Sequence, residues 1–96
     1  MDLYRALADP TRRLILDELA ARDRMTLFEL CTRLAGRYRI TSSRQAVSQH
    51  LDVLEASGLV RAERVGRYKF LRFDPGPLAE ITSRWTAPAT PPEETP

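Results

Sequence analysis

Apolar residues recur at helical spacing through five stretches of this chain. Leu3, Tyr4 and Leu7 set a short first helix, interrupted at Asp9-Pro10. Asp9 as cap and Pro10 at the first helical position start a second, carrying Ile15, Leu16, Leu19 and Ala20. A third opens with the capping box of Thr26 and Glu29 and turns Leu27, Leu30, Cys31 and Leu34 inward. In the fourth, Val47, Leu51 and Leu54 recur at i, i+4 and i+7 as one apolar stripe. Its cap is Ser42 or Ser43, and Ser42 with Gln45 matches a capping box. Gly58-Leu59 is its stop, with glycine left-handed and leucine folding back. In the fifth, Asp74-Pro75 repeats the cap-plus-proline start, and Leu78, Ile81 and Trp85 follow at helical spacing.

Two β-rich runs, 59–65 and 68–73, lie between the fourth and fifth helices and join around Gly66-Arg67 as a hairpin. From Ala87 onward the chain has four prolines and no apolar pattern. Residues 87–96 are therefore expected to be a disordered tail, and residues 1–86 one folded unit. The expected fold is mainly α with a small β-hairpin. Five helices plus a two-stranded wing make a winged helix-turn-helix.

The polar face of the fourth helix carries the chemistry. An ordinary solvated face would show Lys and Glu, whereas this one shows Arg44, Gln45, Ser48, Gln49 and His50. Amides, hydroxyls and guanidinium groups pair with base edges in a major groove. Arg44, Gln45, Ser48 and Gln49 are the candidates for base readout. Ser43, His50 and the hairpin-tip residues Arg64, Arg67 and Lys69 are candidates for contacts to the DNA backbone or by the wing.

These segments resemble a known family. Ala6-Leu7-Ala8-Asp9-Pro10-Thr11-Arg12-Arg13, then 48–60 (Ser-Gln-His-Leu through Leu-Glu-Ala-Ser-Gly-Leu-Val), then Gly66-Arg67-Tyr68, look like the ArsR-type bacterial transcriptional regulators. The resemblance covers residues 3 to 85. It implies a homodimeric repressor on a palindromic double-stranded operator. Leu3, Tyr4, Leu7, Leu78, Ile81 and Trp85 are the expected dimer interface, since a small monomer cannot cover both terminal helices.

Composition narrows the alternatives. The 96 residues carry a net charge of only +2, but residues 33 to 72 hold Arg33, Arg37, Arg39, Arg44, Arg61, Arg64, Arg67, Lys69 and Arg72 against Asp52, Glu55 and Glu63. A polyanion would lie along that excess. With one cysteine there is no intrachain disulfide, and no signal or membrane-length run is present, so a cytoplasmic protein is expected. Between Leu34 and the fourth helix, residues 35–41 exceed a tight turn. The third helix runs on by a turn there with Ile40 returning to the core, and Arg37, Tyr38 and Arg39 either form a plain loop or add backbone contacts.

Many ArsR-like proteins sense metals, and Glu29-Leu30-Cys31 resembles part of such a site. No second cysteine follows, the fifth helix has Asp74 and Glu80 but no histidine, and a soft-metal site needs converging thiolates or imidazoles. No metal or cofactor is expected, and Cys31 is read as a packing thiol. An enzyme is not expected: there is no phosphate loop, and Ser48 and His50 lie on different helix faces. The alternative from another class is a winged helix used for protein–protein interaction, which exposed apolar anchors on the reading face would favour.

Overall fold

The computed structural model describes residues 2–85, so the tail expected from 87 lies outside the described residues. The order is α1 Leu3–Ala8, α2 Pro10–Ala21, β1 Met25–Thr26, α3 Leu27–Tyr38, α4 Arg44–Ala56, β2 Val60–Val65, β3 Tyr68–Phe73 and α5 Gly76–Arg84. All five helices and both hairpin strands fall where the pattern places them.

Local chemistry explains the boundaries. Asp9 accepts the Arg12 backbone N–H at 3.1 Å, with Pro10 opening α2. At α3 the capping box is reciprocal: Glu29 N–H donates to Thr26 Oγ1 at 3.2 Å and Thr26 N–H to Glu29 Oε1 at 2.9 Å. The end of α4 is a Schellman motif, with Leu59 N–H on the Leu54 carbonyl and Gly58 N–H on the Glu55 carbonyl, both 3.0 Å. Gly58 has φ +84°, and a Cβ there would sit 3.2 Å from Cγ of Pro77, so glycine serves both the stop and the packing of α5. In the hairpin only Gly66 of the two loop residues has positive φ, +61°, which suits a type II′ turn.

Two boundaries differ from expectation. The cap of α4 is Ser43, whose Oγ accepts from Ala46 N–H at 3.1 Å, so the Ser42–Gln45 box does not form. Asp74 does not cap α5. It accepts from Gly76 N–H at 2.8 Å, while Pro75 takes the cap position without a side-chain bond. The two-stranded wing β2–β3 is present as expected, and β1 adds a third strand at its root: β1 pairs with β3, Met25 opposite Leu71, giving the antiparallel order β1-β3-β2.

The core joins Ile15, Leu16 and Leu19 of α2, Met25 of β1, Leu30 and Leu34 of α3, Val47, Leu51 and Leu54 of α4, Leu59 just before β2, Val60 of β2 and Leu71 of β3. Each buried aliphatic side chain is worth about 1.5–3 kcal/mol, enough to hold α4 and the wing root at a fixed angle. α3 does run on to Tyr38, and half-buried Ile40 packs back onto the core. The Ile40 N–H bonds to the Leu34 carbonyl at 3.1 Å, which is possible because Arg39 turns left-handed at φ 57°.

Candidate nucleic-acid interface

The stripe Val47, Leu51 and Leu54 buries one side of α4 and leaves Arg44, Gln45 and Gln49 exposed on the other. Ser48 is half-buried beside them, in a cleft shared with Asp52, Glu55 and Lys69. Among the described residues, Arg44, Gln45, Ser48 and Gln49 make no side-chain hydrogen bond or ion pair. Capping by Ser43 rather than Ser42 leaves the Gln45 amide unengaged. Arg44 and Gln45 lie in the first turn of α4, at the positive end of the helix dipole.

The wing stands against this helix. Cross-strand pairs Arg64–Lys69 and Ala62–Leu71 share a face, and buried Leu71 shows that this face turns toward the helices. Lys69 Nζ lies 3.9 Å from Glu55 Oε2 on α4. Arg67, at the turn, lines a groove of about 500 Å³ together with Arg44, Lys69, Tyr68 and Phe28. Guanidiniums from two separate elements thus converge on one groove.

Much of the basic excess between residues 33 and 72 is neutralised within the fold. Arg33 Nε donates to Glu18 at 2.9 Å, Arg37 lies 3.5 Å from the same carboxylate, Arg61 pairs with Asp74 at 2.6 Å and Arg72 with Asp23 at 3.2 Å. Arg39, Arg44, Arg64 and Arg67 have no ion pair among the described residues. Of these, Arg44, Arg64 and Arg67 border α4 or form the wing tip. Within residues 33–72, arginines without an ion pair are therefore confined to α4 and the wing, plus Arg39.

Residues 7–63 match the model of the Helix-turn-helix domain family. An uncharacterized HTH-type transcriptional regulator of Bacillus subtilis, YuzN, is 47% identical over 83 residues, 86% of this chain and 90% of that protein. Among solved structures, an ArsR-like transcriptional regulator from Rhodococcus sp. RHA1 is 35% identical with a TM-score of 0.70, covering 85% of this chain and 74% of its own. A possible transcriptional regulator for arsenical resistance superposes with a TM-score of 0.72 at 33% identity, covering 88% and 80%. The chain belongs to the ArsR-type helix-turn-helix transcriptional regulators.

In this ArsR-type regulator, α3 and α4 are the helix-turn-helix and β2–β3 the wing. No helix among the described residues is long and apolar enough to cross a membrane. The remaining predicted site residues fall into two groups. His50 is half-buried and faces Arg12 of α2, its Nδ1 3.3 Å from the guanidinium. On α1 and α5, Leu3, Leu7, Leu78 and Ile81 are half-buried, while Tyr4 and, at the end of α5, Trp85 are 45% and 63% exposed.

Two features of the ArsR-type chain escaped the sequence reading, the environments of Glu18 and Phe28. Glu18 is only 2% exposed and accepts from Arg33 and, at 2.8 Å, from the Tyr38 hydroxyl. Burial pushes its carboxyl up, but the hydroxyl and the two guanidiniums outweigh that and hold it below the usual glutamate value. Arg37 and Tyr38 are thus turned to Glu18 instead of forming a plain loop. Phe28 is 67% exposed at the edge of the Arg44–Arg67 groove. Its place outside the stripe of Leu27, Leu30 and Leu34 was the available signal. Cys31 is half-buried against the core, and burial, opposed by Arg44, raises its thiol above the usual value.

Proposed function

We propose that this regulator is a homodimeric repressor that reads a palindromic operator with α4 in the major groove. The observation that carries the reading is the convergence of unpaired Arg44 and Arg67 on one groove beside the unengaged amides of Gln45 and Gln49. Arg44, Gln45, Ser48 and Gln49 take base edges. Ser43, His50, Arg64, Arg67 and Lys69 take phosphates or flanking minor groove. Lys69 does so after exchanging its long contact to Glu55. The exposed faces of α1 and α5, with Leu3, Tyr4, Leu7, Leu78, Ile81 and Trp85, pair across a two-fold axis. That sets the two reading helices about 34 Å apart on one side of the duplex. Repression needs nothing further, since occupancy of a promoter excludes the polymerase; the protein acts in the cytoplasm, where that DNA is.

Operator binding proceeds without an inorganic effector. No three His, Cys, Asp or Glu side chains converge among the described residues, and a raised Cys31 pKa disfavours the thiolate that a soft metal needs. The test is selection of bound duplexes from a random pool by purified protein, repeated with chelator and with added zinc. A palindromic consensus insensitive to both is expected. Recovery of no consensus would defeat the reading, and a tenfold metal-dependent change, about 1.4 kcal/mol, would defeat its effector part.

A further inference from the structure

Arg12 sits in the first turn of α2, and its guanidinium bridges two other elements. Nε donates to the Ala6 carbonyl at 2.8 Å and one Nη to the Arg5 carbonyl at 3.1 Å, both in the last turn of α1. Those carbonyls have no partner within their own helix, so the guanidinium acts as the C-terminal cap of α1. The other Nη lies 3.3 Å from Nδ1 of His50 on α4. A guanidinium has donors and no acceptor, so the imidazole nitrogen facing it is the unprotonated one. The single proton of neutral His50 then resides on Nε2, on the far side of the ring.

His50 is half-buried at the margin of α4, between exposed Gln49 and buried Leu51. A side chain at that margin meets the wall of a DNA groove, where phosphates lie, rather than its floor. We propose that Arg12 is a positioning residue for DNA binding, holding His50 as an outward Nε2–H donor to an operator phosphate and tying that donor to the end of α1. Asp9 is the other charged group near the ring. Its carboxylate is already engaged by the backbone N–H of Arg12, which leaves the guanidinium as the group touching the imidazole. The inference rests on the DNA-binding reading of α4 given above.

The chain has one histidine, so a long-range ¹⁵N spectrum reports its tautomer without ambiguity. At pH 7.5 the Nε2–H form is expected in the wild type, and a mixture of tautomers in Arg12→Leu. Arg12→Lys, which keeps the charge but not the fork, should mix them too and guards against a misfolded leucine variant. In anisotropy titrations Arg12→Leu should bind cognate and random duplexes about tenfold more weakly, and add no further loss in a His50→Ala background. An Nδ1–H or doubly protonated ring in the wild type, or additive losses in the double variant, overturns the proposal. Gln49→Ala separates the two failures. If it loses cognate preference while Arg12→Leu binds normally, only this inference falls; if it keeps that preference, the reading of α4 falls.

Discussion

The rings of Tyr4 and Trp85 lie with centroids 5.8 Å apart and planes tilted by 55°, joining the first helix to the end of the last. Both rings stay largely open to water, at 45% and 63% exposure. An aromatic pair of that size, next to half-buried Leu3, Leu7, Leu78 and Ile81, is suited to be the centre of a two-fold contact. Trp85→Ala should therefore weaken self-association by about 2 kcal/mol and operator binding with it. Sedimentation equilibrium alongside operator titration checks this. A wild-type monomer at micromolar concentration, or a variant dimer as tight as the wild type, would remove the interface.

Glu18 predicts an acid limb in the stability of the fold. Its folded-state carboxyl lies below the usual glutamate value of about 4.3. The stabilisation is thus fully present above that value and is lost as pH falls through the lower folded value. Glu18→Gln should cost about 2 kcal/mol at pH 7, below the roughly 3–5 kcal/mol of a fully buried pair, because Arg33 and Arg37 keep side-chain exposures of 30% and 60%. In urea melts the gap between wild type and variant should narrow steadily from pH 5 downward. A gap that widens on acidification would mean the carboxylate is not the stabilising form.

Arg39 occupies the left-handed region at φ 57° and is exposed, with no ion pair among the described residues. A non-glycine residue there carries about 1–2 kcal/mol of strain, while glycine adds back about 0.5–1 kcal/mol of unfolded-state entropy. Arg39→Gly should therefore stabilise the chain by about 0.5–1 kcal/mol. Thermal melts decide it, and a lower midpoint would show that the arginine side chain contributes packing at the α3 end.

The helices were legible because their signals are local: Asp9-Pro10, the Thr26–Glu29 box and Gly58-Leu59 each lie within a few residues of the boundary they set. β1 was not, because two residues carry no period; Met25 is a strand residue only through Leu71, far along the chain. The polar face of α4 was legible as a candidate site, but the charge map was not. Arg33, Arg37, Arg61 and Arg72 looked available until the fold brought Glu18, Asp74 and Asp23 against them. Nothing in the spacing told Ser42 from Ser43 as the cap, since both precede the apolar stripe closely enough to start a helix.

Gln49 and Arg67 separate reading from anchoring. Gln49 is exposed on the second turn of α4, with its amide unengaged, and an amide pairs bidentately with adenine. Arg67 projects from the hairpin turn with no ion pair among the described residues, which suits a phosphate. Gln49→Ala should lose about 1–3 kcal/mol on the cognate site and little on random DNA. Arg67→Ala should weaken both and lower the salt slope by roughly one unit for the contact removed. Titrations of both variants on both duplexes across a salt series give the answer. Equal losses for Gln49→Ala on the two duplexes would take base readout away from α4. Relaxed preference at A·T-rich flanks in Arg67→Ala would instead mean that the wing reads minor-groove width, where narrow A·T tracts concentrate negative potential.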